Sequence, residues 1–176
     1  MRTTTLYHGS DTPVPHPQAG RNTGFADLGN GFYLTDDHAV AQSRARSRAR
    51  HMGAEHGFVS VYEFDESCVP WVTWSSATST PAGTAFGLCF DTDRAGIAHW
   101  MRYIQACRAG RTTVGNLGSP AVVRAWIATE EVEMACSGMV TADEMTEFID
   151  PTNLVVQYCL LDQDLIDQHL HFVKAE

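Results

Sequence analysis

Alternating hydrophobic and polar positions along the chain predict a series of short β-strands interspersed with helices. Strands are predicted where β-branched and aromatic residues cluster between turn residues. The predicted strands are residues 3–8, 31–35, 57–64, 71–74, 121–127, 153–161 and 169–173. Because strands and helices do not follow a regular alternation, the pattern favours an α+β fold over a doubly wound parallel sheet.

Apolar residues that recur every three or four positions predict the helices. Thr35, Asp36 and Asp37 are typical of a helix start. On the helix that follows, the face expected to pack on the sheet consists of Ala41, Ala45, Ala49 and Met52. Further helices are predicted over residues 93–108, from about 129 to 138, and after a capping box formed by Thr141 and Glu144. The stretch SPAVVRAW fits a helix started by proline as well as the favoured strand 121–127.

Length and composition point to one domain over residues 1–176 with a substantial core. No apolar run reaches the roughly 20 residues that cross a membrane, so no membrane partner is expected. The five cysteines form no C-x-x-C pair, which is typical of free thiols in a reducing cytoplasm. We therefore predict a cytoplasmic protein.

The formal net charge of −9 disfavours nucleic acid as a partner. Basic residues nevertheless cluster in RARSRAR, residues 44–50. These arginines form either a solvated helix rim or a contact with phosphate or a partner.

Three stretches carry candidate chemistry: LYHGS at residues 6–10, DLGNGFYLT at 27–35 and QYCLL at 157–161. In this order, and together with HLHF at 169–172, they resemble the ADP-ribosyltransferase superfamily, on the side of poly(ADP-ribose) polymerases and diphtheria-like toxins. Over essentially the full length, the chain looks closest to the bacterial domain-of-unknown-function family 3990. The resemblance implies a split, mostly antiparallel β-sandwich with flanking helices, and an NAD cleft between its halves.

The resemblance also implies roles for individual residues. His8 would bond the adenosine ribose of NAD, Gly9 would offer its backbone N–H and C=O to the nicotinamide amide, and Tyr33 would stack on the nicotinamide ring. Gln157 occupies the position where many relatives carry a catalytic glutamate. The implied catalytic residues are His8, Tyr33 and Gln157, and the implied NAD-binding residues are His8, Gly9, Ser10, Gly31 and Tyr33.

Two departures from the family pattern limit the expected chemistry. Gln157 can hydrogen-bond a ribose hydroxyl, but an amide supplies no negative charge. The helix after GFYLT lacks the second stacking tyrosine of the polymerases, so chain elongation is not expected. Candidates for the missing acid are Asp27, Glu130, Glu131 and Glu133.

The resemblance thus implies an NAD-dependent mono-ADP-ribosyltransferase or NAD glycohydrolase, with NAD as substrate. It also implies an unidentified acceptor, a bacterial toxin-like role and a small antitoxin-like partner. The alternative is a non-catalytic module that binds NAD, ADP-ribose or a protein. No metal is expected, because the HLH at residues 169–171 fixes no third ligand by its spacing.

Overall fold

In a computed structural model, the chain folds into an eight-stranded β-sheet with four α-helices. The structure describes residues 2–21, 26–74, 85–111 and 118–176. The strands are β1 (Thr3–Ser10), β2 (Phe32–Thr35), β3 (Phe58–Asp65), β4 (Trp71–Thr73), β5 (Gly87–Cys89), β6 (Val122–Trp126), β7 (Val156–Leu160) and β8 (Leu170–Ala175). The helices are α1 (His38–Met52), α2 (Arg94–Arg108), α3 (Thr129–Cys136) and α4 (Gln163–His169).

All eight strands belong to one hydrogen-bonded sheet, in the order β4-β5-β6-β7-β2-β1-β3-β8. The pairs β4–β5 and β5–β6 are parallel, and the other five pairs are antiparallel. The mixture of helices with a mostly antiparallel sheet agrees with the predicted fold class. The split sandwich is not confirmed, because strand pairing places all eight strands in a single sheet.

The two faces of the sheet carry separate hydrophobic clusters, since successive side chains of a strand point to opposite faces. One cluster joins β5, β6 and β7 to α2 and α3, with Trp100, Met101 and Val123 fully enclosed. The other lies on the opposite face and includes Leu6 and, from α4, Ile166. Helix α1 packs on the first face, over β1 and β3.

Residues at both ends of helix α1 explain why this stretch of the sequence forms a helix. The Asp37 carboxylate accepts a hydrogen bond from Val40 N at 3.0 Å and thereby caps the first turn. Gly53 ends the helix with φ of 68°, a conformation that glycine adopts without steric cost. The predicted alanine face is buried, but Met52, the last residue of the helix, is 54% exposed.

Most predicted elements are confirmed, with different bounds. Strand β1 continues to Ser10 because its ladder with β3 includes both Gly9 and Ser10. Strand β7 begins three residues later than predicted, because the Asp150 side chain caps a 3₁₀ turn over Pro151–Asn153. The capping box is confirmed by a hydrogen bond from Glu144 N to the Thr141 hydroxyl, although the helix it opens is a 3₁₀ turn, Glu144–Glu147.

The sequence did not predict β5 or α4. The predicted loop after WVTW falls largely on residues 75–84, outside the described residues, and β5 follows it. Helix α4 begins after the Asp162 cap and ends at His169. His169 and His171 therefore belong to a helix end and a strand, rather than to one face of a strand.

None of the helices described in the structure is both long and apolar enough to pass through a bilayer. All five cysteines are free thiols.

Candidate functional site

A cavity of about 380 Å³ opens between β1, β2 and the first turns of α1. A volume of this size is within the range of small-molecule sites. Its walls include four of the residues singled out in the sequence, namely His8, Gly9, Tyr33 and Gln157. These residues come from three distant stretches of the chain, and the fold brings them together.

The cavity exists because the ladder between β1 and β2 stops early. The two strands share a single register pair, Tyr7 with Thr35. Beyond that pair, the His8 ring reaches across, and its Nδ1 lies 2.7 Å from the carbonyl oxygen of Tyr33. The His8 side chain thus bonds the Tyr33 carbonyl, which in a regular antiparallel ladder would accept a hydrogen bond from a backbone N–H of β1.

This contact fixes the hydrogen-bonding character of His8. Removal from water lowers the pKa of His8 below its ordinary 6.5; the bond to the Tyr33 carbonyl opposes the shift, and Arg48 adds to it. The imidazole is therefore neutral at pH 7, with its proton on Nδ1, because a carbonyl oxygen can only accept. Nε2 is left as an acceptor, and among the described residues nothing donates to it.

Gly9 directs its backbone polar groups into the same opening. Val59, the β3 partner of Gly9, uses its own N–H and C=O for bonds to Glu176. Gly9 and Val59 therefore form a non-hydrogen-bonded pair, and the N–H and C=O of Gly9 point away from β3, towards β2. No described residue of β2 is in register with Gly9. A donor and an acceptor on one residue thus face the cavity together.

Close packing of helix α1 also requires a glycine at position 9. A Cβ at this position would lie only 2.0 Å from the Ala41 carbonyl oxygen and 2.7 Å from Ala45 N. A side chain at Gly9 would therefore disturb the fold itself, because the backbone of α1 packs directly on this residue.

Two hydrogen bonds hold the hydroxyl of Tyr33. Its hydroxyl donates to the Gly29 carbonyl at 2.8 Å and accepts from Leu28 N at 2.9 Å. Burial raises the pKa of Tyr33, so the hydroxyl stays protonated. The ring is thereby fixed at the cavity wall and ties the 26–31 segment to the strand.

Gln157 lies on β7, opposite Thr35 of β2. Its Nε2 donates to the Trp126 carbonyl at 2.8 Å, which fixes which end of the amide carries the oxygen. No donor to Oε1 is found in the described part of the chain. Gln157 is therefore both an anchored strand amide and a source of one acceptor atom for the cavity.

Two predicted residues are not in the cavity wall. Ser10 has its hydroxyl 3.4 Å from Oδ1 of Asp11. A Cβ on Gly31 would meet Cys159 Sγ and the Leu160 carbonyl, both at 2.5 Å, so its glycine serves close packing on β7.

Of the four candidate acids, Asp27 alone is part of the cavity wall. Its Oδ1 accepts from Arg108 Nε and Nη2, both at 2.7 Å. Arg108 also pairs with Glu133 at 2.8 Å, although Glu133 itself is outside the cavity, as are Glu130 and Glu131. One guanidinium is shared by two carboxylates, so the group as a whole keeps one negative charge.

Arg108 could not be identified from local sequence patterns, because its partner Asp27 is 81 residues away in the chain. A charged residue at the end of a predicted helix is the only local signal. Arg44 is also in the wall, and it is the RARSRAR residue that enters the site.

A larger cavity of about 550 Å³ lies alongside and shares Ala26 and Arg108, but contains none of the predicted site residues. Within the described residues, no group of three histidine, cysteine, aspartate or glutamate side chains could hold a metal ion.

The fold and the cavity together define a mixed α/β protein with a polar cleft opened between two central strands of one sheet. Residues 4–80 match the family described as "Protein of unknown function (DUF3990)", so this part of the chain is similar to that family. The match includes His8, Gly9 and Tyr33, but it ends before Gln157, so the expected full-length resemblance is reduced to the N-terminal part. No curated protein and no solved structure matches the chain.

Proposed function

We propose that this protein binds NAD in the β1–β2 cavity and transfers a single ADP-ribose to an acceptor. The bond between the nicotinamide nitrogen and the ribose C1′ breaks, and its electron pair leaves with nicotinamide. A nucleophile of the acceptor bonds to C1′ and releases its proton to solvent. With water as the acceptor, the same chemistry is NAD hydrolysis.

The observation that carries the proposal is the pair of Gly9 backbone groups that face the cavity. A primary amide such as that of nicotinamide offers one N–H donor side and one carbonyl acceptor, which complement a C=O and an N–H on one residue. The fixed ring of Tyr33 provides a flat surface for stacking. His8 Nε2 and Gln157 Oε1 are acceptors suited to ribose hydroxyls.

Asp27 is the group that supplies negative charge in the proposed reaction. Cleavage of the nicotinamide–ribose bond passes through an oxocarbenium-like state, in which the ribose becomes positive. A fixed carboxylate beside the ribose stabilises that charge. Gln157 also lines the cavity, but its amide carries no charge. Asp27 supplies the negative charge instead, and Arg108 holds its carboxylate in place.

The first test is release of nicotinamide from NAD by the purified protein. We expect release with the wild type, and a loss of about 10²-fold with Asp27→Asn, which keeps the shape and removes the charge. Glu133→Gln is the matched control, because it also removes a carboxylate from Arg108 but lies outside the cavity. Wild-type rates for a folded Asp27→Asn variant would eliminate Asp27 from the reaction.

A second test addresses the Gly9 contact without mutation. Nicotinic acid adenine dinucleotide replaces the amide by a carboxylate, which cannot donate to the Gly9 carbonyl. We expect it to bind at least about tenfold more weakly than NAD, because one hydrogen bond is lost and one carbonyl is left facing a negative charge. Equal affinities would contradict the proposed docking of the amide.

The second candidate is a module that binds NAD or ADP-ribose without turnover. Gln157 favours it, because an amide anchored on the Trp126 carbonyl stands where relatives of the proposed class carry glutamate. Tight NAD binding with no nicotinamide release identifies this function. A toxin-like role and a small neutralising partner remain proposals that rest on the resemblance in sequence.

A further inference from the structure

Arg44 is a charged wall of the cavity with no partner among the described residues. The other arginines of α1 have hydrogen-bond acceptors: Arg46 bonds Gln42 Oε1, Arg48 bonds Asp11 Oδ1 and Arg50 bonds the Arg46 carbonyl. Arg44 follows Val40 and Ala41 by four and three residues, so it lies on the helix face that lines the cavity.

The charges around the cavity make Arg44 the candidate for binding an anionic ligand. The chain has a formal net charge of −9, which repels an anionic ligand at a distance. Arg108, the other cation in the wall, is shared between Asp27 and Glu133. Among the described residues that line the cavity, Arg44 is therefore the uncompensated positive charge.

We propose that Arg44 binds the diphosphate of the ligand, so that the site selects dinucleotides and nucleoside diphosphate sugars over nucleosides. The inference rests on the proposed NAD function and deepens it. A guanidinium presents two parallel N–H groups that match two phosphate oxygens. From its place in the cavity wall, Arg44 holds the diphosphate while the nicotinamide end reaches Gly9 and Tyr33.

The two explanations of the arginine-rich helix now differ for each residue. A solvated rim treats Arg44 and Arg46 alike, because both are exposed residues of the same helix. The phosphate contact distinguishes them, because Arg44 lines the cavity and Arg46 is bonded to Gln42 outside it. Arg44→Gln and Arg46→Gln remove the same charge from the same helix and form a matched pair.

The experiment measures the affinities of NAD and of nicotinamide riboside, which has no phosphate, by titration calorimetry. Arg44→Gln is expected to weaken NAD binding about 10- to 100-fold, the range for loss of a charge-assisted hydrogen bond. Nicotinamide riboside should bind Arg44→Gln as it binds the wild type, and Arg46→Gln should bind both ligands normally. Loss of NAD affinity in both variants, or in neither, overturns the role of Arg44.

Inorganic pyrophosphate separates failure of this inference from failure of the proposed function. If the wild type does not bind NAD, the proposed function is wrong. Pyrophosphate binding that is lost in Arg44→Gln and kept in Arg46→Gln then still supports an anion site. If the wild type binds neither NAD nor pyrophosphate, or if pyrophosphate binding survives in Arg44→Gln, the anion site is also wrong.

Discussion

At the scale of single residues, His8 makes the stability of the folded chain depend on pH. Its pKa in the folded chain is below 6.5, so between that value and 6.5 the unfolded chain binds a proton that the folded chain does not. The free energy of unfolding therefore falls as the pH drops below about 6.5. We expect unfolding by urea at pH 7.5 and 5.5 to show this loss.

His8→Asn is the control for this prediction. Asparagine can donate to the Tyr33 carbonyl in place of Nδ1–H, but it does not titrate. The variant should resemble the wild type at pH 7.5 and lose less stability at pH 5.5. An equal loss in both proteins would show that His8 does not carry the effect.

Gln157 leads to a second pH-dependent prediction. In Gln157→Glu, the donor to the Trp126 carbonyl becomes a carboxylate oxygen, so we expect the free energy of unfolding at pH 7.5 to fall by about 1–3 kcal/mol. Repulsion from the carbonyl and partial burial raise the pKa of the new carboxyl in the folded state. The loss should therefore shrink as the pH falls, because the protonated acid can donate again.

The comparison variant is Gln157→Ala, measured by the same denaturant titrations. Its loss of stability should be independent of pH, because no titrating group is introduced. A loss in Gln157→Glu that does not change between pH 7.5 and pH 4.5 would contradict the hydrogen bond to Trp126.

At the scale of elements, the contact between β1 and α1 depends on Gly9. Gly9→Ala places a methyl group against helix backbone, which cannot rotate away, so α1 must shift. We expect a loss of about 3 kcal/mol or more in the free energy of unfolding. Gly118→Ala is the control, because no described residue lies within 4 Å of its added Cβ. Similar stabilities for the two variants would refute the close packing of α1 on β1.

Elements with strong local signals could be predicted from the sequence. Helix α1 has a capping aspartate, a run of alanines at helical spacing and a terminal glycine, and its bounds follow from them. Strand β5 has three residues, Gly87–Cys89, and its parallel partners make it a strand. Such a strand is defined by distant pairing, so local pattern could not predict it.

At the scale of the whole molecule, ligand binding should stabilise the fold. The cavity is formed by β1, β2, β7 and α1, so NAD bound there binds the folded chain and not the unfolded one. At 100 times the dissociation constant, we expect about 2.7 kcal/mol of stabilisation and a rise in Tm of about 5–10 °C. Differential scanning fluorimetry with NAD, and with nicotinamide riboside as the weaker ligand, measures it. No shift at saturating NAD would contradict binding to the folded chain.

The candidate site was predictable only in part, and for a physical reason. His8, Gly9, Tyr33 and Gln157 were identified by the resemblance of their motifs. The ion pair between Asp27 and Arg108 depends on tertiary packing of α2 against the 26–31 segment, which no local pattern contains. The orientation of the Gly9 N–H and C=O towards the cavity likewise depends on the register of three strands.

The single register pair between β1 and β2 divides the sheet mechanically. Strands β4, β5, β6, β7 and β2 lie on one side of that line, and β1, β3 and β8 lie on the other. Backbone hydrogen bonds across the line are few, so thermal opening requires less free energy there than within either ladder. The β1–β2 boundary is thus a seam: its amides exchange with solvent sooner than those of the β1–β3 ladder, and a molecule that bridges Gly9 and Tyr33 acts as a cross-link between the two halves.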